Sequence, residues 1–115
     1  MKLGIVGSRS FTDYEFLKNA LDPLKEQIEL VISGGANGAD LLGERWAAEN
    51  NIPVKIFYPD WKRYEKRAGF IRNEEIVKES DAIVAFQVNE SKGTQHTIDL
   101  AKKYNKKVRV FKFKK

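Results

Sequence analysis

The sequence predicts an α/β fold. The expected architecture is a three-layer, Rossmann-like domain with a five-stranded parallel sheet in the order 3-2-1-4-5 and helices on both faces. Three observations predict it. Five short apolar runs, "LGIV", "ELVIS", "VKIFY", "AIVAF" and "KVRVF", recur along the chain. Apolar residues at helical spacing fill most of the intervals between them. Glycine- or hydroxyl-rich turns follow the first, second and fourth runs. Alternation of this kind builds a parallel sheet covered on both faces, and right-handed crossovers make the doubly wound order the default.

Each element follows in turn. "LGIV" (3–6) stops at Gly7 and reads as the first strand. "TDYE" (12–15) fits the Ser/Thr-x-x-Glu capping box, so Thr12 is expected to open a helix. Leu17, Ala20, Leu21, Leu24 and Ile28 then keep helical spacing. "ELVIS" (29–33) is the second strand, and Leu42, Trp46 and Ala47 mark the inner face of a helix starting near Gly38. Pro53 suits the start of the third strand, 54–58. The stretch "PDWKRYEKRAG" (59–69) has no clear period and is predicted to be irregular. "FIRNEEIVKES" (70–80) is a helix, "AIVAF" (82–86) the fourth strand and "KVRVF" (107–111) the last. Thr94, Ile98 and Ala101 mark the helix between those two strands. With no internal repeat and no long linker, residues 1–115 are expected to form one domain.

Composition removes several functional classes. A chain of 115 residues buries roughly 65% of its unfolded surface, enough for a core without staples. There is no cysteine, so disulfides, thiolate nucleophiles and cysteine-ligated zinc are excluded. The single histidine, His96, excludes a histidine-rich metal site, and no metal is expected. No apolar run approaches the ~20 residues of a membrane span, and "MKLGIVG" is too short for a signal peptide. The expectation is a cytoplasmic chain with no membrane partner. The net charge of +5 is uneven: residues 102–115 carry eight basic side chains and no acid, which leaves the remainder at −3. Such a tail reads as a solubilising end, with a polyanion-binding patch as the other reading.

The turns carry the functional signal. In an open α/β sheet, ligands bind beyond the carboxyl ends of the strands, where the strand order reverses. "GSRSF" (7–11), "SGGANGAD" (33–40) and "NESKGTQHT" (89–97) fall there and, in the expected order, share one crevice. Within the second turn, framed by Ser33 and Asn37, Gly34, Gly35 and Gly38 allow positive φ and a close approach of ligand to backbone amides. The helix beginning near Gly38 offers unpaired N–H groups and a positive dipole end, a combination suited to phosphate. Gly-Lys-Ser/Thr is missing, and Ser33 replaces the first glycine of G-x-G-x-x-G, so neither standard phosphate motif is present. Gly7 and Ser8 precede Arg9, whose guanidinium is suited to bidentate phosphate binding. Lys92, Gly93 and Thr94 offer charge, amides and a hydroxyl at another helix start. Arg72 and Asn73 either reach back to the crevice or sit on a solvated helix face.

Hydrogen bonds to a charged group contribute about 1.5–3 kcal/mol each, against an association cost of at least ~4 kcal/mol. Selective binding therefore needs a second handle. Trp61 and Tyr64 are suited to stacking on a base, although Trp61 equally suits covering the sheet. Asp40 or Asp60 is suited to accepting from ribose hydroxyls, while Asp40 also favours a helix dipole. His96 is either an acid–base group or a packing histidine.

Taken together, "GSRSFTDY", "SGGANGAD", "DWKRY…AGFIRNEE" and "SKGTQHTIDLA" resemble the YspA-like, cpYpsA-related branch of the SLOG superfamily. That superfamily is named for the SMF/DprA and LOG proteins. The resemblance runs from Gly4 to Val110, with the motifs in family order. It implies a domain that binds a nucleotide or nucleotide-derived ligand, such as ADP-ribose, NAD or a cyclic nucleotide, as a sensor or scavenger. Host–virus conflict and a phage- or prophage-encoded chain fit that reading. The resemblance further implies that Gly7, Ser8, Arg9, Gly34, Gly35, Gly38, Gly93 and Thr94 face phosphate, with Asp40, Arg72 and Asn73 lining the same pocket. No cofactor is implied. A homo-oligomer is, with helix-face residues such as Trp46 available for its interface.

One departure bears on chemistry. LOG hydrolases carry a Pro-Gly-Gly-x-Gly-Thr motif followed closely by glutamates. Here Gly93-Thr94 is followed by Gln95, His96 and Thr97, with no carboxylate until Asp99. An oxocarbenium-like transition state would lack its usual support. An N-glycosidase or phosphoribohydrolase would have to use Asp40, Glu90 or His96. A third reading, a nucleic-acid-binding module, rests on the basic tail and on Lys62, Arg63, Lys66 and Arg67.

Overall fold

The apolar runs pair as one parallel sheet. Its strands are β1 (Lys2–Gly7), β2 (Leu30–Ser33), β3 (Val54–Ile56), β4 (Ala82–Val88) and β5 (Lys107–Phe113), in the order β3-β2-β1-β4-β5. This is the α/β, Rossmann-like order the sequence predicts. The computed structural model describes residues 1–115. In the register, Gly4 lies beside Ile32 of β2 on one side and Ile83 of β4 on the other.

Alternate residues of each strand feed two cores. Leu3, Ile5, Val31, Val84 and Phe86 pack against Leu17 and Leu21 of α1 (Tyr14–Leu21) and Trp46 of α2 (Ala39–Glu49). Val6, Ile32, Ile83 and Ala85 pack on the opposite face. There they meet Ile76 and Val77 of α4 (Ala68–Glu79) and Ile98 and Ala101 of α5 (Lys92–Lys103). Each large apolar side chain fully buried this way contributes about 1.5–3 kcal/mol. Trp46, read as an inner-face residue and also as available for a subunit interface, is completely buried within the chain, as the first of these readings expects. Its indole N–H donates to the Asp22 carboxylate at 2.9 Å, so it is a core residue and not an interface residue.

Several element boundaries differ from expectation, each for a local reason. Asp13, not Thr12, caps α1: its carboxylate accepts from the Phe16 N–H at 3.0 Å. Aspartate caps at least as well as threonine, so the neighbouring residue takes the role. The helix ends at Leu21, and Pro23, which has no N–H to donate, sits in a 3₁₀ turn spanning Asp22–Gln27. The segment 59–69, predicted to be irregular, is largely helical. It holds α3 (Trp61–Tyr64), a 3₁₀ turn at Glu65–Arg67 and the first turn of α4. Asp60 caps α3 by accepting from the Arg63 N–H at 3.1 Å. Strand β3 stops at Ile56, while β4 and β5 run on in register to the Val88–Phe113 pair. No helix is long and apolar enough to cross a membrane.

Candidate functional site

The connections from β1 and β4 leave on opposite faces of the sheet, so their following loops part and open a crevice. Two cavities of about 410 and 450 Å³ lie there and share Arg9, Ala36, Arg72, Asn73 and Gly93. They are two lobes of one cleft. The first, over the switch between β1 and β4, adds Gly7, Ser8, Asp40, Ser91, Thr94 and Thr97. The second adds Gly34, Gly35, Pro59, Trp61, Lys66 and Phe70.

The glycines of the second turn serve the protein before any ligand. Gly38 has φ +81°, and a Cβ there would overlap the Ser8 carbonyl and lie 2.5 Å from the Arg9 carbonyl oxygen. The glycine thus seats this turn directly on the turn after β1. The Ala39 N–H reinforces the contact by donating to the Ser8 carbonyl at 3.3 Å. Gly35, at φ +71°, makes room for the Tyr58 ring, and Gly34 for the side chains of Arg72 and Asp40. The expectation that these three open the backbone to a ligand therefore meets a different physical reason. Gly93 is the exception, with nothing within 4 Å of where its Cβ would stand. It sits in the first turn of α5, whose amides have no intrahelical partners and carry the positive end of the dipole.

Hydroxyls line the floor of the first lobe. Ser8 Oγ accepts from the Val88 N–H at 2.8 Å, and Ser91 Oγ donates to Thr94 Oγ1 at 3.0 Å. Ser8 and Ser91 are themselves hydrogen-bonded through their hydroxyls. The β1 and β4 loops are joined by these bonds beneath the cleft.

Two guanidiniums stand on the wall common to both lobes. Arg72 donates from Nη1 to the Gly34 carbonyl at 2.5 Å and from Nε to Asn73 Oδ1 at 3.0 Å. Five N–H donors on one planar group leave capacity for a ligand. Burial pulls the Arg72 pKa below its ordinary value; Asp40 opposes that shift and Arg9 adds to it. Asn73 Nδ2 lies 3.2 Å from His96 Nδ1, so His96 orients the asparagine. The His96 ring packs edge-on against Phe70, and burial lowers its pKa.

Asp40 is the one carboxylate that lines either lobe. It is 5% exposed, and its Oδ2 accepts from the Ala36 N–H at 3.4 Å. Burial raises its pKa to about 6, against the opposing pull of the Ala36 N–H and Arg72. A carboxyl that titrates higher in the folded chain than in the unfolded one loses stability as pH rises from about 4 to 6 and does not recover it above. Asp40→Asn is therefore expected to be more stable than the parent at pH 7.5, on the order of 2 kcal/mol, with the gain vanishing near pH 4. Thermal melts of both proteins across that range check this.

The structure brings together Gly7, Ser8, Arg9, Gly34, Gly35, Asp40, Trp61, Arg72, Asn73, Gly93 and Thr94. Other expected residues lie elsewhere. Ser33 is buried and donates to Glu44 Oε2 at 2.7 Å, on the α2 side. Asn37 and Lys92 are exposed outside both lobes, and Gly38 is covered by the Ser8–Arg9 backbone. Of the catalytic candidates, Glu90 is exposed in a turn at φ +53°, and His96 borders a separate shallow cavity with Arg67 and Glu74. The paired carboxylates of glycoside hydrolysis are thus not assembled in the cleft. Sequence reasoning missed Ser91, Thr97 and Phe70 as site residues, and it named Lys66, which lines the second lobe, only for the nucleic-acid reading. Thr97 carried a signal, lying three residues after Thr94 on one helix face.

A parallel sheet in this order, with helices on both faces, defines a Rossmann-like domain, and its cleft lies at the switch point. The family model described as YspA, cpYpsA-related SLOG family matches residues 1–64. The Gene 61 protein of Mycobacterium phage D29 is 35% identical over 108 residues, covering 86% of each chain. The chain belongs to the YspA, cpYpsA-related SLOG family. Among solved structures, DNA processing protein A of Streptococcus pneumoniae superposes with a TM-score of 0.80 at 18% identity, over 95% of this chain and 49% of that one. DNA processing protein A of Helicobacter pylori, solved for its single-stranded DNA binding mode, gives 0.76 at 19% identity, over 96% and 64%. The chain thus spans about half to two thirds of those proteins, and at such identities the likeness is one of fold.

Proposed function

We propose that the chain binds a nucleotide or nucleotide-derived molecule of the ADP-ribose or NAD kind and holds it as a sensor or scavenger. The supporting observation is the position of Arg9 and Arg72 on the wall that both lobes share. Phosphate seated there lies against the hydroxyls and the open start of α5 on one side. On the other side, Trp61 and Phe70, each 56% exposed, offer ring faces to the remainder of the ligand. Stacking of that kind contributes about 1–3 kcal/mol per base. The residues present require no cofactor for this. Isothermal titration with ADP-ribose, NAD and AMP tests the reading. Binding of at least one is expected, with Arg9→Ala weakening it by about tenfold or more, as loss of a charge-assisted hydrogen bond requires. Absence of heat with all three overturns it.

Single-stranded DNA is the second reading, and a specific observation favours it. Lys66 lines the second lobe, and Lys115 Nζ donates at 2.7 Å to the carbonyl of Ser10, which lines the first. Each lobe therefore has a lysine beside it, as a strand longer than one nucleotide would use. Fluorescence anisotropy with an oligonucleotide at two salt concentrations separates the readings, because strand binding falls steeply with salt.

A further inference from the structure

Asp40 is an unexpected group to find in an anion site. It lines the first lobe, it is nearly inaccessible to solvent, and it shares that lobe with both guanidiniums. Arg72 directs its observed hydrogen bonds to Gly34 and Asn73, and the hydrogen bond Asp40 accepts is a long one from a backbone amide. An ionised carboxylate in that position repels an arriving phosphoryl oxygen, whereas a neutral carboxyl meets it with an O–H donor.

We infer that the first lobe takes up its anion together with one proton, which Asp40 carries and donates as a hydrogen bond to the bound anion. The proton comes from solvent, and no covalent bond changes. The inference rests on the nucleotide reading for placing an anion in this lobe, not for the anion's identity. The charged groups facing Asp40 are Arg72 from α4, with Arg9 beside it on the β1–α1 loop, and Glu44 one turn along α2. Amides of Gly34 and Ala36 face it from the β2–α2 loop. From α5 the lobe receives Thr94 and Thr97, neither of which titrates at neutral pH. Burial and Glu44 favour the neutral acid, Arg72 and the amides favour the anion, and the balance stands at about 6 before any ligand arrives. A bound anion adds negative charge and moves the balance further toward the neutral acid.

The test uses the full chain and two probes whose own charge is fixed between pH 5.5 and 8, ADP-ribose and inorganic sulfate. Titration at pH 7.5 in buffers of different ionisation enthalpy is expected to return close to one proton taken up per ligand. The dissociation constant is expected to rise about tenfold from pH 7 to pH 8 and to level off below pH 6. Asp40→Asn is expected to show no uptake and a flat profile. That comparison also separates Asp40 from His96, which reaches the cleft only through Asn73. Zero uptake in the parent protein, or the same pH slope in the variant, overturns the inference. Should the variant fail to fold, the buffer series on the parent decides alone. Sulfate binding with a proton while ADP-ribose, NAD and AMP all fail to bind leaves the inference standing and removes the nucleotide reading. Failure of both sulfate and ADP-ribose to bind overturns the inference, whereas binding of NAD or AMP alone keeps the nucleotide reading.

Discussion

Gly38→Val is expected to lower stability by 3 kcal/mol or more and to dismantle the cleft. The residue sits at φ +81°, ψ −129°, a region that costs a non-glycine residue on the order of 1–3 kcal/mol. The added Cβ would also stand 2.6 Å from Arg9 Cα and against two carbonyl oxygens of the same turn. Those are backbone atoms and cannot swing aside as a side-chain tip does. Overpacking adds about 1–3 kcal/mol to the conformational cost. Denaturation in urea, read by circular dichroism, measures the loss through the midpoint. Gly93→Ala is the matched control. With open space at its Cβ and a position inside α5, it is expected to hold or gain stability, since alanine is about 1 kcal/mol the better helix former.

Arg72→Ala is expected to reduce affinity for a phosphorylated ligand by about a hundredfold. Two charge-assisted hydrogen bonds contribute about 3 kcal/mol at the low end of their range. The same substitution leaves the Gly34 carbonyl and Asn73 Oδ1 without their donor, so a separate stability loss of about 1–3 kcal/mol accompanies it. Titration at a temperature where the variant is fully folded separates the two effects. Arg72→Lys keeps the charge, but a compact ammonium cannot span the carbonyl, the asparagine and a ligand at once. It is expected to recover only part of the affinity. Full recovery would mean that charge alone suffices and that the planar fork holding Gly34 and Asn73 is immaterial.

The strands were legible because parallel strands concentrate Val, Ile and Phe in short runs, whereas their order followed only from the default of right-handed crossovers in a doubly wound sheet. The second turn at the cleft was legible for a related reason: its glycine cluster marks places where a side chain does not fit. What fills the space is not written locally. Tyr58 against Gly35, Phe86 against Gly7 and the Ser8–Arg9 backbone against Gly38 all come from other segments of the chain. The helix α3 was invisible because four residues cannot display a 3.6-residue period, and only the cap at Asp60 announced it. His96, read as either an acid–base group or a packing histidine, takes the packing role because of how the helix is rotated. Thr97, one residue further along α5, faces the first lobe. His96, about 100° away on the helical wheel, turns to Asn73 and Phe70. Sequence gives the spacing of such residues but not the angle at which the helix docks.

The two ends of the cleft are tied to the fold very differently. Gly38 seated on Ser8 and Arg9, together with the hydroxyl bridge to β4, fastens one end to three strands at once. The other end depends on a single short turn of helix, with Tyr58, Trp61 and Phe70 each more than half exposed. Substitutions between residues 58 and 70 can therefore exchange the clasp while leaving the anchor intact. Relatives of this chain are expected to diverge in the molecule they recognise by rewriting that one stretch, and a library confined to it is the economical route to a domain of altered taste.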